Sequence, residues 1–103
     1  RTFMRFVQWR AMSLRIERAE ALLGTAQPEA ALDELAYCLS SEWHLELQQK
    51  ARFVAARAEE ARGDLQAARE YYERVVDTGS RFGGDVVRRA SRRLEELGEL
   101  GVH

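Results

Sequence analysis

The sequence predicts an all-α fold built from antiparallel helix-turn-helix pairs, and three observations predict it. The 103 residues hold one proline and no asparagine, two of the residues that most often punctuate loops and turns. Apolar side chains recur at steps of three and four, with no sustained period-two alternation, so no strand is expected. Lastly, the helix pairs themselves recur along the chain.

Five helical segments succeed one another. The first spans about Thr2 to Leu23 and stops at Gly24-Thr25-Ala26-Gln27-Pro28, a glycine stop with a proline at the next start. The second runs from Pro28 to Leu39, with Leu32, Leu35 and Leu39 on one face. Ser40-Ser41 offers N-cap oxygens to a third helix from Glu42 to Arg62, whose stripe is Leu47, Ala51, Val54, Ala58 and Ala61. Gly63 tolerates a left-handed turn and Asp64 caps the fourth helix. That helix carries Leu65, Ala68, Tyr72, Val75 and Val76 and ends near Asp77. After a loop at Thr78–Gly84, a fifth runs from Asp85 to Leu97 with Val87, Ala90, Leu94 and Leu97, and Gly98 ends it.

Apolar residues at 46% and charged residues at 32% suit one folded domain rather than a disordered chain. The formal net charge of −1 argues against the chain as a whole being an electrostatic partner of nucleic acid. Every cation but Lys50 is arginine, a bias that fits a GC-rich bacterial genome and says nothing of mechanism. The lone Cys38 forms no intrachain disulfide; the compartment stays unassigned, with the cytoplasm favoured. No apolar run approaches the roughly 20 residues needed to span a bilayer, and no signal-peptide pattern is present. Starting at Arg1 without a methionine, the chain reads as a domain cut from a longer protein.

The recurrence is specific enough to carry a resemblance. Ala55, Ala56 and Ala58 provide small side chains in one helix; Gly63-Asp64 makes the turn; Leu65, Ala68, Tyr71 and Tyr72 come in the next. This segment, Ala51 to Val76, resembles the tetratricopeptide repeat, a helix-turn-helix unit of about 34 residues. A weaker copy precedes it at an offset of 37, aligning Ala19, Leu22, Pro28, Ala31, Leu35, Cys38 and Leu39 with Ala56, Glu59, Leu65, Ala68, Tyr72, Val75 and Val76. A third first-helix copy, at an offset of 34, places Val87 over Phe53 and Ala90 over Ala56. Neither first helix has the family's Trp-Leu-Gly core, and no proline closes a repeat. The resemblance implies a single repeat domain over residues 1–103, folded as a right-handed α-solenoid. Its parts are repeat one at about 12–41, repeat two at about 49–82 and a capping helix at about 85–97.

Little here points to an enzyme. His44 and His103 are the only histidines, and with one cysteine they cannot build a structural zinc site. No catalytic triad, phosphate loop or HExxH motif occurs, so no catalytic residue, metal or cofactor is expected. Acids three or four positions from arginines, such as Arg69 with Glu73 and Glu70 with Arg74, read as surface helix pairs. Arg62-Gly63-Asp64 spells an adhesion tripeptide, but the turn needs Gly-Asp in any case. Arg88-Arg89-Ala90-Ser91 matches a basophilic kinase site by coincidence of a helical sequence. The Gly79–Gly84 loop lacks the spacing of a phosphate motif and reads as a linker. Cys38 reads as core, and Trp43 and His44 are expected to pack on the first repeat.

The expected function is an adaptor or scaffold that binds a protein or peptide partner. In the tetratricopeptide family the first helices of the repeats line a concave groove. The resemblance implies groove positions at Ile16, Glu20 and Leu23, at Lys50, Phe53, Arg57 and Glu60, and at Val87, Ser91 and Leu94. Lacking asparagine, the chain is not expected to clamp a C-terminal carboxylate as some members do. A homodimer is a second expectation, because Phe3, Phe6 and Trp9 sit among apolar residues that go nearly all round the first helix. The arginines there are equally scattered, which argues against a membrane surface. The alternative from another class is nucleic-acid binding through the basic cluster Arg81, Arg88, Arg89, Arg92 and Arg93. Glu95, Glu96 and Glu99 come directly after it and count against that reading.

Overall fold

Five α-helices succeed one another: α1 (Thr2–Gly24), α2 (Pro28–Ser40), α3 (Leu45–Arg62), α4 (Leu65–Thr78) and α5 (Gly84–Glu99). The computed structural model describes residues 2–41, 44–79, 81 and 84–103, and among these no strand occurs. The expected order of helices therefore holds, while several ends fall elsewhere for identifiable reasons. Glu42, Trp43, Ser80, Phe82 and Gly83 lie outside the described residues, so the expected packing of Trp43 and the reading of the Gly79–Gly84 loop lie outside them too.

The turn after α1 closes on Ala26, not on Gly24. Ala26 takes the left-handed conformation at φ 59, while Gly24 is still helical. The Gln27 amide donates to the Leu22 carbonyl at 2.9 Å and the Ala26 amide to Leu23 at 3.1 Å, the paired bonds of a Schellman closure. The turn after α3 agrees with the sequence: Gly63 sits at φ 90, and Asp64 Oδ1 accepts from the Ala67 amide at 3.0 Å. The adhesion-like tripeptide is thus a helix stop, a left-handed turn and a helix cap. Ser40 and Ser41 do not cap α3. Ser40 Oγ donates to the Tyr37 carbonyl at 3.0 Å and closes α2, whereas α3 begins three residues later than expected, behind a half-buried His44. Gly98 does not end α5; the left-handed residue there is Gly101, and the Val102 amide bonds back to Leu97 at 2.9 Å.

Each helix packs on the next, and α3 also packs on both α1 and α5. Among the described residues the backbones of α2 and α4 do not approach one another closely, nor do those of α1 and α5. The body measures 46 × 30 × 18 Å, and its shortest dimension is close to two helix diameters of about 10 Å each. α3 is the shared wall. One of its faces places Ala51, Val54, Ala55 and Ala58 against Met12, Ile16 and Ala19 of α1 and Ala31, Leu35 and Cys38 of α2. Its other face places Phe53 and Ala56 against Ala68, Tyr72 and Val75 of α4 and Ala90 and Leu97 of α5. Alanine supplies much of both faces because helix axes can approach closely only where side chains are short. The larger buried side chains each contribute about 1.5–3 kcal/mol of transfer free energy.

Two adjacent glutamines of α3 tie the layers together. Gln48 donates to the carbonyls of Leu39 (3.1 Å) and Ser41 (2.7 Å) at the end of α2. Gln49 donates to Val75 at 2.8 Å and Gly79 at 3.4 Å, at the end of α4. Helix C-termini leave carbonyls without intrahelical partners, and Gln48 serves Leu39 in that role, whereas Gln49 adds a second donor to Val75, which already accepts from the Gly79 amide at 3.2 Å. Cys38 is core as expected: its thiol lies 3.6 Å from the Met12 carbonyl, and burial pushes its pKa up.

At the other extreme, α1 is 23 residues long and α2 only 13, so the start of α1 runs on past its partner. No side chain from Phe3 to Ala11 is buried.

Candidate interaction groove

The α1–α3–α5 side of the molecule carries two adjoining cavities. The first, about 390 Å³, is lined by Glu20 of α1, by Glu46, Lys50, Phe53, Val54 and Arg57 of α3, and by Asp85, Val86 and Arg89 of α5. The second, about 310 Å³, shares Phe53, Arg57 and Arg89 with it and adds Glu60, Tyr72, Arg92, Arg93 and Glu96. Shared walls make the two one continuous groove. Helical spacing explains the line on α3: Glu46, Lys50, Phe53, Arg57 and Glu60 succeed one another at steps of four and three.

Phe53 is the floor. It is 7% exposed, meets the Tyr72 ring edge-on with centroids 5.6 Å apart, and lies under the Arg89 guanidinium at 4.5 Å. A cation over an aromatic face is held by the ring quadrupole, which here draws α5 onto α3. Deeper in, Glu60 accepts from the Tyr72 hydroxyl at 2.5 Å and from Arg93 Nε at 2.9 and 3.0 Å, with Arg93 Nη2 closing a forked ion pair. Burial acts to raise the Glu60 carboxyl. The hydrogen bonds from Arg93 and Tyr72, with the charges of Arg93 and Arg57, outweigh it and hold the group below its ordinary value. Burial first, then the bond to Glu60, push the Tyr72 phenol well above its ordinary value. The Glu60–Arg93–Tyr72 cluster is therefore a brace joining three helices.

Of the positions expected on the groove, the structure brings Glu20, Lys50, Phe53, Arg57 and Glu60 to one surface. The others lie elsewhere. Ile16 is 1% exposed and belongs to the core between α1, α2 and α3, and Leu23 packs against that same core. Val87 and Leu94 pack against the core between α3, α4 and α5, and Ser91 is half-buried beside them. On α5 the groove is lined by Asp85, Val86, Arg89, Arg92, Arg93 and Glu96 instead. Transferring positions by repeat offset placed the lining one residue off, because the offset carries no information about how far α5 is rotated on α3. The lining signal was nonetheless present in sequence, since charged residues at 85, 89, 92, 93 and 96 form one helical stripe beside the core stripe at 87, 90, 94 and 97.

The basic cluster is partly neutralised. Arg88 bonds Asp85 at 3.1 Å, Arg89 covers Phe53, and Arg93 holds Glu60 and, at 3.5 Å, Glu96. Arg92 and Arg57 have no ion partner among the described residues, and Arg81 is exposed. Of the expected surface pairs, Arg69–Glu73 forms at 3.1 Å. Glu70 and Arg74 do not come within ion-pair distance; both line a separate cavity over α4 with Tyr71 and Asp77. Phe3, Phe6 and Trp9 lie on the free end of α1, 74%, 61% and 43% exposed. No helix among the described residues is long and apolar enough to cross a membrane. Among the same residues, no group of three or more His, Cys, Asp and Glu side chains is placed to hold a metal ion.

Compared with protein-family models, with curated proteins and with solved structures, the chain matches none.

Proposed function

We propose that this chain is a tetratricopeptide-type repeat module, a right-handed stack of two helix hairpins and a cap, that serves as an adaptor or scaffold and not as an enzyme. It binds an extended peptide or a helix of a protein partner along the α1–α3–α5 groove. One observation carries the reading: side chains from three sequence-distant helices converge on a continuous cleft with an aromatic floor and a charged rim. Such a cleft suits a polypeptide, whose side chains alternate between apolar anchor and polar contact. Supporting it, positions equivalent by the repeat offset are buried alike: Ala19 and Ala56, Ala31 and Ala68, Leu35 and Tyr72, Cys38 and Val75. A polyanion such as nucleic acid fits less well, because Glu20, Glu46, Asp85 and Glu96 interleave with the arginines of the rim.

Selection from a displayed library of random octapeptides tests the proposal, with the chain carrying Lys50→Glu and Arg57→Glu as the control. Enriched sequences that lose binding to the double variant support it. No enrichment, or peptides that bind both forms equally, would remove it.

Self-association is a second reading, favoured by the exposure of Phe3, Met4, Phe6, Val7 and Trp9 on the free end of α1. Contiguous apolar surface of that kind marks an interaction site. Light scattering across a concentration series should show a dimer that becomes a monomer when Phe3, Phe6 and Trp9 are replaced by serine, with helicity retained. A monomer at every concentration before substitution ends this reading.

A further inference from the structure

Charge changes sign along the groove once the internally paired side chains are set aside. Of the side chains that line only the cavity nearer α1, Glu20 and Glu46 are without an ion partner among the described residues, against one such cation, Lys50. Asp85 in that cavity is engaged by Arg88. In the cavity toward α4, Glu60 and Glu96 are both engaged by Arg93, leaving Arg92 without an ion partner among the described residues; Arg57, whose charge acts on Glu60, forms no ion pair among them and lines both cavities. Between the two lies Phe53, which lines both. One end of the groove therefore presents two carboxylates against one ammonium, the other the Arg92 guanidinium, and the middle Arg57 beside Phe53, whose ring lies under Arg89.

We infer that the groove recognises a dipolar peptide: a short extended segment with a basic residue over Glu20 and Glu46, a middle that crosses Phe53 and the Arg89 guanidinium over it, and an acidic residue between Arg57 and Arg92. This rests on the peptide-groove reading above and names the chemistry of the partner. Each terminal contact is charge-assisted, and guanidinium matches carboxylate in bidentate geometry. Three helices in a row, with axes about 8–10 Å apart, span a distance that about six extended residues cover at roughly 3.3 Å each. The same polarity rejects uniform polymers. A nucleic-acid backbone would carry phosphate over Glu20 and Glu46, and a uniformly basic peptide would meet Arg57 and Arg92. Because unlike ends steer a ligand as well as hold it, discrimination falls as salt screens the rim.

Labelled synthetic octapeptides with a central leucine, followed by fluorescence anisotropy at low salt, test this. One peptide carries two lysines before and two glutamates after the leucine, one the reverse order, one glutamate at both ends and one lysine at both ends; a single-stranded oligonucleotide is the fifth probe. One of the dipolar peptides should bind about fivefold or more tighter than either uniform peptide, a ratio expected of two partly exposed ion pairs. Arg57→Glu with Arg92→Glu should make the lysine-only peptide the best ligand, and Glu20→Lys with Glu46→Lys the glutamate-only peptide. All four positions are at the surface rim, and circular dichroism reports whether each variant stays folded. If the glutamate-only peptide binds best to the unaltered chain and weakens in the Arg57/Arg92 variant, the dipolar inference fails while the groove stands. If no peptide binds, or if neither double variant alters binding, both fail. Tighter binding of the oligonucleotide than of every peptide overturns the inference in favour of a polyanion site.

Discussion

The side-chain amide of Gln49, fully buried in α3, donates a 2.8 Å hydrogen bond to the main-chain carbonyl of Val75, one turn before the end of α4. Arg52 orients it, donating to Gln49 Oε1 at 3.1 Å while also holding Thr78 Oγ1 at 2.9 Å. The Val75 carbonyl already accepts from the Gly79 amide at 3.2 Å, so Gln49 adds a second donor there and ties α3 to the end of α4. Gln49→Ala should therefore cost about 0.5–1.5 kcal/mol for each hydrogen bond lost. Urea unfolding would show this as a lower midpoint at unchanged slope, with Gln48→Ala, nearer the surface, losing less. An unchanged midpoint for Gln49→Ala would mean the carbonyls find other donors.

The Glu60 brace gives stability a sign with pH. Its carboxyl titrates below the ordinary glutamate value in the folded chain, so on acidification the unfolded state takes up its proton first. The contribution is present above the unfolded value of about 4.3 and is lost as pH falls through the folded value. Tyr72 runs the other way: its folded pKa is raised, so its contribution is present below about 10 and is lost as pH rises through the folded value. Glu60→Gln should flatten the acid limb of a stability-against-pH curve. Equal acid slopes for both forms would refute the brace.

Ala26 is a stabilising mutation waiting to be made. A residue with a β-carbon held at φ 59 carries a strain of about 1 kcal/mol that glycine does not. The side chain is exposed, so its removal forfeits no packing. Ala26→Gly should raise Tm by a few degrees, up to roughly 4–8 °C for a full kcal/mol in a domain of this size. A drop in Tm would show that the entropy of the unfolded glycine outweighs the strain.

Ala55 and Ala56 are neighbours in sequence that face different cores, and both are fully buried. Enlarging either to leucine should destabilise by about 1–3 kcal/mol through overpacking. The two lesions should differ in place: Ala55→Leu disturbs the α1–α2 side, and Ala56→Leu perturbs the Phe53–Tyr72 ring contact. Near-ultraviolet circular dichroism separates them, since only the second should alter that aromatic pair strongly.

Much of the fold is legible in sequence because it is local. Helix order, the Gly63-Asp64 turn and the small-residue faces of α3 come from spacing and backbone preference, which act within a few residues. The start of α3 is misplaced by sequence because Ser40 and Ser41 are good capping residues in isolation. In the fold Ser40 closes α2, while the Ser41 carbonyl takes the Gln48 amide. The α5 lining is displaced because a repeat offset aligns residues without saying which way a helix is turned.

By itself, then, the sequence determined an all-α chain with five helices in a given order and most of the residues that form their apolar stripes, though Ala61, expected on the α3 stripe, is exposed. The tertiary structure alone decided that Gln48 and Gln49 would tie α3 to the ends of two other helices and that Glu60 would be shared by Arg93 and Tyr72. It also decided that Glu20, Phe53 and Arg89 would line one groove. The physical reason is the range of the forces involved. Backbone propensity and hydrophobic periodicity are properties of one segment, but satisfying a buried polar group depends on which segment packs beside it.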